Sequence, residues 1–282
     1  MKNITIGADP ELFMTNGPSP RFKAVSAHGV IPGTKAEPFN VDCGAVQVDG
    51  MALEFNINPA KNSDEFVFNI NKVQEELRKL VPSEFHISPR IVTHFSKAYL
   101  ETQPPEAKEL GCDPDYCAYT GEEKTPDEPE DLNFRCASGH IHIGWRPEKD
   151  YVEPFDPLHF AECRAITKEL DIALGLPSIL VEPQASGKKR RTLYGQAGSF
   201  RPKPYGLEYR VLSNFWLKDE RYMRWVFENT QRVIENFQNQ EYALRDDPYV
   251  ATVINRARRN SAQEIIRDQK WYTRVGVHYA SL

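Results

Sequence analysis

The chain has 282 residues, 40% of them hydrophobic and 27% charged, with a formal net charge of −5 at pH 7. That length supports one large domain or two small ones with a sizeable core, and the acidic balance argues against general nucleic-acid binding. No apolar run approaches the roughly 20 residues that span a bilayer, and the N-terminal MKNITIGADPELF lacks the apolar core of a signal peptide, so a cytoplasmic location is expected. The five cysteines are odd in number and irregularly spaced, which does not suggest a disulfide framework. Cys112, Cys117 and Cys136 with His140 fit no common zinc spacing.

Residues 2–6 read as an apolar strand that runs into Gly7-Ala8-Asp9-Pro10-Glu11-Leu12-Phe13. Side chains alternate along a strand, so Asp9 and Glu11 share a face. Two acids held close either lie solvated on an edge or hold a divalent cation. Residues 21–40 are rich in Gly and Pro and read as a loop over or beside a site, in which Lys35 either meets a substrate anion or is solvated. Residues 45–60 read as a hairpin turning at Asp49-Gly50. Its second strand puts Glu54, Asn56 and Asn58 on one polar face, a second acidic contribution to the same cleft.

Residues 63–80 repeat Phe66, Ile70, Val73, Leu77 and Leu80 at helical spacing, with Asn62 or Ser63 as N-cap and Pro82 as stop. Residues 89–95 read as a strand. Residues 101–131 are poor in apolar side chains and rich in Pro and acids, and are expected to form an insertion or flap over the site that carries Asp113 and Asp115. In residues 134–145, FRCASGHIHIGW, alternation puts His140 and His142 on one face and two isoleucines on the other, a pattern that suits a metal or phosphate ligand.

Residues 157–174 read as a helix, and 176–181 as a further helix or strand. Residues 188–201, KKRRTLYGQAGSFR, form either an exposed basic turn or a run that offers backbone N–H groups and guanidinium forks to phosphate. In GLEYR, Glu208 and Arg210 share a face and form either a plain ion pair or a metal ligand beside an anion contact. Helices are expected over 219–240, 249–258 and 261–270, which makes residues 1–282 one domain with a helical C-terminal layer from 219 onward.

Together, Asp9, Glu11, Glu54, His140, His142, Glu208 and Arg210 form a mixed oxygen and nitrogen set that suits Mg²⁺ or Mn²⁺. The added arginines, Arg191 and Arg201, imply a polyphosphate in the same cleft and hence phosphoryl transfer. There is no Walker A motif and no kinase signature.

GADPELF, GHIHIG and GLEYR resemble, in that order, the G-x-E-x-E, H-x-H and E-x-R strands of the glutamine synthetase and glutamate–cysteine ligase superfamily. With EFNINP, GCDPDY and YGQAGSFRPKPYGLEYR, the chain is more narrowly similar to the phage phiEco32-like carboxylate–amine ligases of type 2 over residues 1 to about 217. The resemblance implies an α+β fold: a glutamine synthetase-like curved antiparallel sheet, with helices on its outer face and a helical C-terminal region. It implies ATP and Mg²⁺ (or Mn²⁺) as cofactors and an acyl-phosphate route from a carboxylate and an amine, small-molecule or peptide, to an amide. By position Asp9, His140 and Glu208 would hold the metal nearer the ATP phosphates, and Glu11 and Glu54 the metal nearer the carboxylate substrate. His142 and Arg210 would contact ATP phosphates, with Arg191 or Arg201 on the transferring group. Asp9 stands where the superfamily usually has Glu, and Asp49 is the nearest candidate for a further substrate-side acid. Asp113 or Asp115 would take the amine proton. The alternatives are a phosphotransferase of the same fold, a metal-dependent hydrolase using His140 and His142, or a non-catalytic phage binding protein.

Overall fold

Thr5–Thr15 is the strand on which the sheet is built. The computed structural model describes residues 4–18, 21–108, 115–124, 133–239 and 247–267. In chain order the first strands are β1 (Thr5–Thr15), β2 (Ala24–Val25), β3 (Phe39–Val41), β4 (Gly44–Asp49), β5 (Ala52–Ile57), β6 (His86–Ser88) and β7 (Val92–His94). They are followed by β8 (Asp115–Cys117), β9 (Glu123–Lys124), β10 (Phe134–Cys136), β11 (Gly139–Gly144), β12 (Ser199–Lys203) and β13 (Gly206–Tyr209). The helices are α1 (Ser63–Leu80), α2 (Lys97–Glu101), α3 (Pro105–Lys108), α4 (Pro157–Leu170), α5 (Leu176–Val181), α6 (Gln184–Arg190), α7 (Glu220–Gln238), α8 (Pro248–Asn255) and α9 (Arg259–Arg267).

Among the described residues the main sheet runs β3-β4-β5-β1-β11-β13-β12-β8-β9, with β2 and β6 pairing the far end of β1. Every pairing is antiparallel. Strand β1 is long enough to take β11 along its first half and β5, β2 and β6 along its second. The β4–β5 hairpin turns at Gly50, whose φ of 54° lies in the left-handed region that glycine enters without a Cβ clash.

The alternation in each strand sorts the sheet into two faces. Ile6, Ala8, Leu53, Phe55, Ile141, Ile143, Leu207 and Phe200 are buried in one continuous core with Phe66, Ile70, Val73 and Leu77 of α1. Each of the Val, Leu, Ile and Phe side chains contributes about 1.5–3 kcal/mol by leaving water. The intervening residues face the other side and carry the polar chemistry. Helix α1 starts at the expected residue because Asn62 Oδ1 accepts from the Glu65 N–H at 2.9 Å, while the Glu65 carboxylate accepts from Lys61 N–H at 2.7 Å. Phe66 stacks on Trp216 at 6.0 Å and meets Phe227 at 5.5 Å, which seats α1 against α7.

Several expected elements differ in detail. The strand expected over 89–95 is shortened to β7, with β6 a separate strand just before it, and 176–181 is helical. The helix expected over 157–174 ends as α4 at Leu170 and continues through a π-helical turn, Asp171–Gly175. In the stretch expected as an insertion or flap, β8 joins the main sheet beside β12; Asp113 and Cys112 lie outside the described residues. Among the described residues Cys117, Cys136 and His140 form no metal-ligand cluster. The helix expected over 261–270 is α9, and its last three expected residues lie outside the described ones.

Asp171 ties the helical layer to the strand that carries Glu208. Its carboxylate accepts from Tyr209 O–H at 2.7 Å, Tyr119 O–H at 3.0 Å and the Gly198 N–H at 2.7 Å. Burial pushes its pKa up to about 7 despite these three donors. A carboxyl raised in the folded state adds stability that is full below the unfolded value of 3.8 and is lost as pH rises through the folded value. Stability of the native chain should therefore fall relative to an Asp171→Asn variant between about pH 4 and 7, by up to roughly 4 kcal/mol at about 1.4 kcal/mol per pKa unit. Urea melts of both proteins across that range check this; parallel pH profiles would show that Asp171 does not titrate as described.

Candidate active site

Strand register brings the polar residues into rows across the sheet. Asp9 lies opposite His140, and Gly7, His142, Glu208 and Arg201 form one row across β1, β11, β13 and β12. Gln47, Glu54 and Glu11 form another across β4, β5 and β1. A glycine at position 7 leaves the space over the first row to its neighbours, with the His142 Cβ 3.6 Å from where a Cβ would stand.

Glu208 is the most enclosed of these groups, at 1% exposure. Lys203 Nζ stands 3.0 Å from its carboxylate, Arg201 Nη1 3.4 Å and His140 Nδ1 3.4 Å, and Arg210 Nη1 donates to it directly. Burial alone would raise its pKa, but Arg210, His142, His140 and Lys203 outweigh burial and hold the carboxyl well below its ordinary value. His142 Nε2 is 3.0 Å from Asp9 Oδ2, and its Nδ1 is 2.7 Å from the Tyr205 hydroxyl. Burial disfavours its charge, yet Asp9 and Glu208 raise its pKa above the usual value. His140 behaves oppositely: burial and then Arg210 push it well below 6.5, so its ring is neutral. The two imidazoles of one strand are thus shifted in opposite directions by their neighbours.

Ligand atoms of Asp9, His142 and Glu208 all lie within 4.8 Å of one another. Donors on opposite sides of one ion stand about 4–5 Å apart, so this set spans a divalent cation with little movement. Asp9 Oδ1 is buried without a hydrogen-bond partner and has His140 Nδ1 at 3.7 Å, so it keeps a lone pair for a cation. Two carboxylates and an imidazole are a donor set for Mg²⁺ or Mn²⁺, and the residues fit such an ion.

A second acidic group lies beside the first. Glu11 Oε2 accepts from the Ser138 N–H at 2.8 Å, and burial followed by Asp49 pushes its carboxyl up to about 7. Glu54 accepts from Gln47 Nε2 at 2.7 Å and is raised well above its ordinary value by burial, Asp9, Asp49 and Glu11. Asp49 is raised chiefly by burial and pairs with Lys35 at 2.9 Å. Like charges directly across an antiparallel pair repel, and this repulsion adds to burial in raising these carboxyls.

Arg210 is clasped on three sides: it donates to Glu208 and to the Tyr194 hydroxyl, and Asp115 Oδ2 stands 3.7 Å from its Nε. Tyr194 in turn lies 3.3 Å from His140 Nε2. Asp115 is buried, and burial raises its pKa.

Arg191 is not at this cleft. Its Nη1 donates to Glu182 and its Nη2 to Ser178 Oγ at 3.1 Å, with both charged partners buried. Of the run 188–201, expected as an exposed basic turn or a phosphate contact, residues 188–190 end α6 and residues 199–201 enter β12, and Arg190 turns inward to donate to the Val211 and Leu212 carbonyls at 2.8 and 2.9 Å. Gly195 (φ 73°) is required next to that side chain, since a Cβ there would stand 1.8 Å from Arg190 Nη1. The residues not foreseen are Lys203, Tyr194, Tyr205 and Gln47. Lys203 was accessible to the same alternation that pairs it with Arg201, and Gln47 to the hairpin register opposite Glu54; no local signal marks either tyrosine.

The crystal structure of a bifunctional glutathione synthetase from Pasteurella multocida has the same fold, with a TM-score of 0.51 at 11% identity over 98% of this chain and 45% of that one. This chain therefore spans less than half the length of that protein. A structure described as a novel glutamine synthase homolog aligns with a TM-score of 0.36 at 12% identity, over 98% of this chain and 71% of that one. No curated protein matches the sequence. The chain's mixed α+β fold with a large antiparallel sheet is thus one it shares with that bifunctional glutathione synthetase. Residues 134–274, half of the chain, match the family Phage phiEco32-like COOH.NH2 ligase-type 2, and the chain belongs to that family.

Proposed function

We propose that the chain joins a carboxylate to an amine with ATP, through an acyl phosphate, in the cleft lined by Asp9, His140, His142 and Glu208. A carboxylate is a poor electrophile because oxide would have to leave. Transfer of the γ-phosphoryl group breaks the bond to ADP and forms one to a carboxylate oxygen. The amine nitrogen then attacks the acyl carbon, the C–N bond forms, and phosphate departs with the C–O electron pair while the amine loses a proton. Divalent cations, when bound, would offset the charge of the phosphate oxygens.

Asp9 and Glu208, with His142 and His140, would hold a cation nearer the polyphosphate. Glu11 and Glu54, beside Asp49, would hold one nearer the carboxylate substrate. Arg210, Arg201 and Lys203 bind phosphate oxygens and stabilise the charge that develops in transfer. In this reading Asp115 accepts the amine proton, and its burial and raised pKa support that role. The substrates are a small-molecule or peptide carboxylate and amine, and the reaction is cytoplasmic; among the described residues no helix is long and apolar enough to cross a membrane.

The observation that carries the reading is the meeting of Asp9, His142 and Glu208 within 4.8 Å, with Arg210, Arg201 and Lys203 around the same carboxylate. Incubation with ATP, Mg²⁺ and pooled amino acids and short peptides should give substrate-dependent ADP release and a product lighter than its two components by one water. A phosphorylated product without condensation, or turnover without ATP, would replace the ligase reading with a phosphotransferase or a hydrolase.

A further inference from the structure

Outside the donor set, the chain forms an open cavity of about 500 Å³. Its described lining includes Lys23, Arg90, His94 and Lys218, with Thr93 and Ser186 among the uncharged polar residues. No Asp or Glu is among the described lining residues. The basic side chains come from separate parts of the chain: Lys23 precedes β2, Arg90 and His94 lie at and just before β7, and Lys218 ends the 3-10 turn Asn214–Lys218. In a chain of net charge −5 this convergence runs against the overall balance. Cations elsewhere find acids, as Lys72 does with Glu75 and Glu76, Arg221 with Asp219 and Arg224 with Asp64. Lys23 and Lys218 enter no ion pair among the described residues.

The arrangement is anchored. Arg90 Nη2 donates to the Phe22 carbonyl at 2.9 Å, which fixes the guanidinium to the loop that carries Lys23. Lys189 Nζ stands 2.6 Å from His94 Nε2 and 4.4 Å from the centre of the Phe134 ring, which adds a positive charge beside His94. Asn214 Nδ2 donates to the carbonyls of both Arg90, at 3.3 Å, and Glu11, at 2.7 Å, so the cavity's wall is joined to β1. Like charges gathered in a concavity repel one another, and an anion that enters replaces that repulsion with attraction.

We propose that this cavity binds a small polyanion, a molecule that presents two or more carboxylate or phosphate groups to Lys23, Arg90 and Lys218. The volume falls within the range of about 300–1,000 Å³ common to small-molecule sites. Arginine offers a planar fork to either oxyanion and the lysines act as point charges. The site is independent of the ligase reading, because none of its residues belongs to the acidic donor set.

The test is calorimetric titration of the full chain, without divalent cations, with triglutamate, citrate and inorganic pyrophosphate in turn. The same titrations are run on a Lys23→Gln/Lys218→Gln variant. At least one probe should bind the native chain, weaken as salt is added, and bind the variant roughly tenfold or more weakly. The probe that binds separates a carboxylate ligand from a phosphate one. An Mn²⁺ titration of both proteins controls for folding, since neither lysine is in the donor set. Binding of no probe, or equal binding to both proteins, would overturn the proposal.

Discussion

Glu208→Gln is expected to abolish divalent-dependent ADP release, with a loss on the order of 10²–10³-fold or more. Glutamine keeps the shape and removes the charge. Two consequences follow from the geometry. The set Asp9, His142 and Glu208 loses one of its two carboxylates, and Arg210, Lys203 and Arg201 lose the anion they share. Because the folded chain holds the Glu208 carboxyl below its ordinary value, that group contributes stability above the unfolded pKa of about 4.5, which is lost as pH falls. At neutral pH the variant forgoes this contribution, and the cations left in the interior cost roughly 3–5 kcal/mol. Thermal melts with and without Mn²⁺ or Mg²⁺ separate the two effects. The native chain should melt higher when the cation is present, and the variant should melt lower and show no such rise. A variant that keeps cation-dependent stabilisation and turnover would remove Glu208 from the site.

Much of this cleft was legible because strands alternate. Asp9 with Glu11, His140 with His142, and Glu208 with Arg210 each share a face as soon as the segments are read as strands. What alternation does not specify is which strands are neighbours. The row Gly7, His142, Glu208, Arg201 needs the order β1-β11-β13-β12, and the Glu11–Glu54 pair needs β5 on the other side of β1. Apart from Arg201 and Glu208, which face each other across the β12–β13 hairpin, these are contacts between residues more than 40 positions apart, formed by tertiary pairing. The helices α1 and α7 were clear because each carries a long amphipathic pattern and a capping side chain. Strand β8 was hidden because a three-residue strand in a Pro-rich acidic stretch has too few apolar residues to show a period. The choice between the two histidines was equally invisible. Their opposite pKa shifts depend on Arg210 and Asp9, which reach them through space.

The clearest divergence concerns the basic run, and it sets the second large effect: Arg191→Met should cost about 3–5 kcal/mol of stability while leaving the cleft chemistry nearly intact in the folded protein. A run of four basic residues resembles a solvated turn or a phosphate clamp. Here Arg190 and Arg191 are buried at 0% and 2% exposure. Arg191 neutralises Glu182, whose other oxygen accepts from Ser213 Oγ at 3.0 Å. Removing the guanidinium leaves the enclosed Glu182 carboxyl without the cation that it hydrogen-bonds, and with the Ser213 hydroxyl as its remaining side-chain donor among the described residues. Replacing both members, Arg191→Met with Glu182→Gln, should recover much of the loss, because no uncompensated charge then remains. Urea denaturation measures the three variants against the native chain, and ADP release at a temperature where each is folded measures the cleft. The buried-pair account requires a large stability loss with turnover within a fewfold of native. If turnover collapsed while the melting curve stayed put, Arg191 would instead act on the transferring phosphate.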